Sequence, residues 1–258
     1  MTQRAIFFLY GLNVALFLYL CSMKQEIWEE EAQKLLRLQV VIADYGRITV
    51  IADEGIMEIK MFLSSICNRA FALNDAFINL TRIDVENYLA AVPLIRLQID
   101  NCLMAYGSLN SGKPLQFINW IAKGRNLTKF VDNNGRRLYE SHLVDDLTKV
   151  FPDIRTLYKK YSSYVHVSST LFYSTMKESE ESNKKHTHFN IQTLDGHYTD
   201  EEKIQFFNDM GTINTYLINI LLLKWDNYIK EKVIPEVRRI FKERMEQVEE
   251  LSLKEKNN

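Results

Sequence analysis

The sequence predicts an all-α fold: a bundle of seven or eight helices with one small β-hairpin or loop excursion near residues 186–198. Three observations carry that prediction. Nine glycines and four prolines in 258 residues leave few places for the frequent turns that short strands require. Apolar residues recur at three- and four-residue spacing from residue 24 onward, the period of an amphipathic helix. Only one stretch of any length, from Lys177 to Asp200, abandons that period. Hydrophobic residues make up 47% and charged residues 25%, which is ordinary usage for a globular chain able to bury a sizeable core. The net charge of −1 excludes a global field toward nucleic acid or anionic lipid, so any such site has to be a local basic patch.

The chain opens on an uncharged apolar run, "AIFFLYGLNVALFLYLC", residues 5–21, directly behind Arg4. It reads either as a membrane anchor, slightly short of the roughly 20 residues a span needs, or as an extension upstream of a start at Met23. From Met23, "MKQEIWEEE" makes an ordinary cytosolic beginning. A secretory signal would want a small-residue cleavage site, which "LYLCSM" lacks. Residues 1–22 are therefore set apart from a single helical domain at 23–250 and a disordered tail at 251–258. The body is expected in the cytoplasm, attached to a membrane only if residues 5–21 are retained. Three cysteines without zinc-ligand spacing fit a reducing compartment.

The helices follow in order. "IWEEEAQKLLRLQVVIADYGRITVIADE" places acids early and apolar residues on one stripe, and "GIMEIKMFLSSICNRAFALNDAFINLTRI" continues in the same manner. Asp84 is the expected N-cap of "VENYLAAVPLIRLQIDNCLMAYGSL", a strongly apolar helix with Pro93 inside it. Ser111-Gly112-Lys113-Pro114 ends that helix and starts a shorter one, "LQFINWIAKG". "DNNGRR", residues 132–137, is a turn. "YESHLVDDLTKVF" and "DIRTLYKKYSSYVHVSS" are two helices divided at Pro152, with Asp153 as the second N-cap. The polar "KESEESNKK" reads as a loop, and the alternating "THFNIQTLDGHYT" as a hairpin around Asp195-Gly196. Thr199 with Glu202 forms a capping box for the last long helix, which Pro235 ends.

Two groups of residues carry chemistry. Tyr158, Ser162 and His166 are four apart and share a helix face. His166 stands where the helix should end, since Val167-Ser168-Ser169 forms helix poorly. A helix C-terminus favours imidazolium, which suits acid–base work near neutral pH, and Ser162 is placed to orient the ring. The structural alternative is a histidine that binds the last carbonyls of its helix. The second group is Arg96 with Asp100, charges four apart on an otherwise apolar helix. They either satisfy each other or face a cavity, because an unpaired buried charge costs several kcal/mol. Gln98 and Asn101 add amides on other faces. His186 and His188 would share a strand face, but no cysteine supports a metal there, and neither metal nor cofactor is expected. Lys123, Arg125, Lys129, Arg136 and Arg137 are a basic cluster that either meets phosphates or is a solvated face. There is no P-loop, dinucleotide fingerprint, zincin helix or G-x-S-x-G elbow.

"LIRLQIDNCLMAY", a long helical gap, and then "LYKKYSSYVHVSS" together resemble the HEPN-like helical domains of uncharacterised bacterial proteins, over about residues 85–176. The resemblance implies a helical bundle, a homodimer, and RNA as substrate of a metal-independent endoribonuclease in defence or toxin-type systems. His166 matches the family histidine. Where the family has an arginine a few residues earlier, Lys160 stands here, followed by Tyr161. In the enzymatic expectation His166 is the acid–base residue and Arg96 or Lys160 stabilises phosphate. Ser162 and Tyr161 support them, and Asp100, Tyr158 and Ser168 lie behind. The other expectation is a non-catalytic interaction module in which Arg96, Asp100 and His166 form a buried network that fixes helix register.

Overall fold

The computed structural model describes residues 3–51, 57–165, 176–181, 184–189, 198–229 and 246. Side chains of residues 3–22, 50–51 and both strands lie outside the description. The fold is all-α. Helix α1 spans Gln3–Ile51, α2 Met57–Thr81, α3 Tyr88–Asn110, α4 Pro114–Ala122, α5 Glu140–Thr148, α6 Ile154–Val165 and α7 Asp200–Asn219. A π-helical segment, Ile220–Trp225, continues α7 into a last turn at Asp226–Tyr228. The two strands, β1 Met176–Glu181 and β2 Lys184–Phe189, pair antiparallel.

Helix α3 is the centre, packed against α2, α6 and α7 along its length and against α4 and α5 near its end. Its apolar character on nearly every face, visible in the sequence, follows from that enclosure. Pro93 sits in its second turn. At the sixth helical position its missing N–H removes one hydrogen bond from the helix ladder. Helices α1 and α2 form a tight hairpin, and Gly46 allows it: a Cβ there would stand 2.9 Å from the Cβ of Cys67. Phe77 of α2 meets Phe207 of α7 edge to face at 5.1 Å. Trp225 is fully buried and donates its indole N–H to Ala105 O of α3 at 2.9 Å. Burying an aromatic side chain of this size contributes on the order of 2–3 kcal/mol.

Several local expectations are met. The Thr199–Glu202 capping box opens α7, with both hydrogen bonds formed. Pro114 starts α4, and Gly112 before it takes φ +67°. "DNNGRR" turns on Asp132, whose carboxylate accepts from the backbone N–H of Asn134 and of Arg136.

Others are corrected. Asn87, not Asp84, caps α3; Asp84 is held instead by Arg82 through two hydrogen bonds. Asp153 stands directly before α6 as expected, its carbonyl accepting from Leu157 N–H at 3.1 Å, and its carboxylate also accepts from Tyr216 of α7. The described strand pair lies N-terminal to the expected turn. "KESEESNKK", expected as loop, supplies most of β1 and the start of β2, with Glu181 opposite Lys184 and Glu180 opposite Lys185. Asp195-Gly196, the expected turn, lies outside the described residues, as do Pro235 and the tail.

Helix α1 runs without a break through Met23, where the sequence suggested a boundary. Among the described residues no helix is long and apolar enough to cross a membrane.

Candidate functional site

Helix α6 divides the expected site in two. On one face, Tyr158 and Ser162 turn toward α3. Arg96 donates from Nε to Ser162 Oγ at 3.0 Å, and its guanidinium lies 4.1 Å over the Tyr158 ring. Its two terminal nitrogens donate to Asp100 and to Glu140. The arginine therefore ties α3 to α6 and to the first turn of α5, and its side chain is only 9% exposed. Burial alone would pull its proton affinity down. The bond to Asp100, the Asp100 charge and Glu140 more than offset this, so the pKa stays raised.

Asp100 shows the cost of that arrangement. Burial is the largest influence on its carboxyl, Arg96 opposes it and nearby Glu140 adds to it, leaving the pKa above the usual carboxylate value. Two carboxylates share the Arg96 guanidinium, and the positive charge of Arg69 also acts on Asp100.

On the other face of α6, Lys160 and Tyr161 turn toward α7. Lys160 Nζ stands 2.8 Å from Asp209 Oδ2, and the fully buried Tyr161 donates its hydroxyl to the same oxygen. Gln205 donates to the other Asp209 oxygen at 2.7 Å. Burial first, then the bond to Asp209, raises the Tyr161 phenol well above its ordinary value. Arg96 and Lys160, both candidates for holding phosphate, thus belong to separate networks. His166 and Ser168 follow the last residue of α6 and lie outside the described residues.

A third constellation was not anticipated as a unit. Arg69 donates to Asn101 Oδ1, Asn101 to Gln98 Oε1, Gln98 to Asn214 Oδ1, and Asn214 to Asn74 Oδ1. The four amides are fully buried, so the chain of dipoles crosses the core from α2 through α3 to α7 and back. At its end Asn74 Nδ2 is buried without an acceptor among the described residues. Hydrogen-bonded amides on three helices penalise any slip of one helix against another.

The basic cluster is also divided. Arg136 is held by Asp132 and Asp146, while Lys123, Arg125, Lys129 and Arg137 are exposed and in no ion pair among the described residues. Arg125 lies 4.9 Å over the Trp120 ring. Among the described residues no group of His, Cys, Asp and Glu could hold a metal. The buried thiols of Cys67, pushed up to about 12, and Cys102, raised further, are both desolvated and so poor nucleophiles.

At the far end of the bundle, a small open cleft of about 60 Å³ lies between α1, the α2–α3 loop and the start of α7. Ile27, Trp28, Ile83, Ile204 and Phe207 line it, with Lys24, Lys203, Glu86 and Asp200 among its polar residues. Glu86 adopts φ 40°, a left-handed conformation that few side chains take.

Fold and site together define an all-α bundle knit by buried ion pairs and amides. No family model, curated protein or solved structure matches the chain.

Proposed function

We propose that this chain is a non-catalytic helical interaction module of HEPN-like architecture, in which the Arg96 cluster sets the register of α3, α5 and α6. The engagement of Arg96 and Lys160 with carboxylates in two separate networks carries the reading. A phosphate-binding guanidinium has to offer free N–H groups and a net positive field. Arg96 already donates to Asp100, Glu140 and Ser162 and is stacked on Tyr158, so a phosphate would have to compete with two carboxylates for it. Lys160 is bound to Asp209 on the opposite side of α6. Such networks are complete without a ligand.

The second reading is the metal-independent endoribonuclease of a bacterial defence or toxin-type system. One observation favours it: the bond to Ser162 brings Arg96 to α6 four residues ahead of His166 in sequence. In that reading His166 is the acid–base residue and the RNA 2′-hydroxyl the nucleophile. Incubating the purified chain with total RNA in EDTA, beside His166→Ala, separates the two. The module leaves RNA intact; cleavage that His166→Ala abolishes establishes the enzyme.

A further inference from the structure

The bundle is polarised in charge from end to end, although its net charge is only −1. Helices α3 and α7 run in the same direction: Lys203 meets Glu86 and Tyr88 at one end, and Trp225 reaches Ala105 toward the other. Helix α3 has 23 residues, so the ends are separated by about 35 Å at 1.5 Å per residue.

At the start of α3 and α7 the surface is acidic. Glu26 and Glu29 of α1, with Asp200, Glu201 and Glu202 of α7, are all exposed there. Among the described residues the cations of that end are already committed: Lys24 to Asp200, Lys34 to Glu30 and Glu31, Arg82 to Asp84, Lys203 to Glu86.

At the other end, residues 112–139 contain six Lys or Arg and one carboxylate, Asp132. Asp132 is buried in its turn. The lobe is fixed to the end of α3, since Asn133 N–H donates to Ser111 O at 2.9 Å and Phe130 packs on Phe117 and Trp120. The exposed Lys123, Arg125, Lys129 and Arg137 are thus held on a rigid support.

Each end also presents apolar surface amid its charge. Val131 and Tyr139 are exposed in the basic lobe, and Ile27 and Ile83 are exposed at the cleft of the acidic end. Trp28 lines that cleft, and its Nε1 is buried without an acceptor among the described residues.

We propose that the basic lobe of one chain docks on the acidic, cleft-bearing end of a second copy, head to tail. The partner is chosen by complementarity on both counts: four free cations meet a surplus of carboxylates, and exposed apolar residues on one side meet an apolar cleft on the other. Apolar contact enclosed by a charged rim is the ordinary anatomy of a specific interface. Because the two surfaces differ, the contact is heterologous, and each docked copy leaves one basic and one acidic end open. Assembly therefore grows with concentration and stops at no fixed number unless a ring closes.

This proposal names a partner for the interaction module and rests on that reading only in that sense. RNA cleavage would refute the module and leave head-to-tail docking standing, while a monomer in the test below would refute docking alone.

The test is the mass of the full chain by sedimentation equilibrium at low and high salt, with variants at each end. One carries Lys123→Ala, Lys129→Ala and Arg137→Ala; the other carries Glu26→Gln, Glu29→Gln and Glu201→Gln. Thermal unfolding first confirms that both fold. Wild type should gain mass with concentration in low salt, with association weakened about tenfold or more between about 20 and 200 mM salt. Each variant alone should stay monomeric, and an equimolar mixture should form a one-to-one pair and go no further. A monomeric wild type in low salt overturns the proposal. So does association that survives high salt or persists in both variants, since apolar residues 5–21 or another surface would then hold the copies together.

Discussion

Replacing Arg96 by alanine tests whether its cluster holds the fold. The substitution removes the cation that links α3, α5 and α6 and leaves two carboxylates behind. Breaking a buried pair from one side costs roughly 3–5 kcal/mol when the remaining charge is sealed from water. Here Asp100 keeps 28% of its side chain exposed and Glu140 52%, so Glu140 adds little and Asp100 only part of the full penalty. A loss of about 2–3 kcal/mol is expected, read from urea unfolding followed by circular dichroism. For a chain of this size that corresponds to a fall in Tm of about 4–12 °C. The loss should also depend on pH. The Asp100 carboxyl is already raised by burial, with Arg96 opposing and Glu140 adding, and it rises further once Arg96 is gone. A carboxyl whose folded pKa is raised destabilises when ionised, so the deficit should shrink as pH falls and widen as pH rises. The double substitution Arg96→Met with Asp100→Leu removes both charges and should recover most of the loss. A variant within about 0.5 kcal/mol of wild type at both high and low pH would refute the structural role.

Three further outcomes follow from the other networks. Tyr161→Phe removes one donor from Asp209 and should cost about 1–2 kcal/mol in urea unfolding, with the fold otherwise intact. Asn214→Ala leaves Asn74 Oδ1 and Gln98 Nε2 unpaired in the core; about 2–4 kcal/mol is expected, with faster exchange of α7 amides. For Asp132 and Asp146, burial works against ionisation. Backbone N–H donors and Arg136 at Asp132, and Arg136 with Lys149 at Asp146, outweigh it and leave both carboxyls lowered. Their stabilisation is present above the unfolded carboxylate pKa of about 4 and is lost as pH falls through the lower folded values. Asp132→Asn with Asp146→Asn should therefore lower stability at neutral pH and flatten the acid limb of the stability curve.

What the sequence disclosed depended on whether the signal was local. The capping box at Thr199 and Glu202, the Pro114 start and the "DNNGRR" turn are contacts within a few residues, and each was legible. So was the pairing of Arg96 with Asp100, one helical turn apart on an apolar helix. Glu140 was not, because it is an ordinary half-exposed acid 44 residues from Arg96 and only the packing of α5 brings it there. The amide chain was hidden for a related reason. Asn74, Gln98 and Asn214 interrupt apolar stripes on three helices, and only their mutual placement shows that the interruptions coincide. A signal did exist: amides at core-facing helical positions want partners on other helices. The cap of α3 was misplaced because Asp84 and Asn87 are both good caps, and Arg82 settles the choice by engaging Asp84. The hairpin was expected around the dipeptide at 195–196, which lies outside the described residues, whereas the described strands pair at 176–181 and 184–189.

The central claim is that the cations near α6 are structural and that the chain does no chemistry on RNA. The most direct measurement is end-labelled RNA incubated in EDTA with the purified chain at single-turnover excess, beside His166→Ala and Arg96→Ala. The account predicts intact RNA in every lane, with Arg96→Ala distinguished only by its lower unfolding midpoint. Cleavage by the wild-type chain that disappears in His166→Ala would contradict it, and its loss in Arg96→Ala as well would make Arg96 part of an active site.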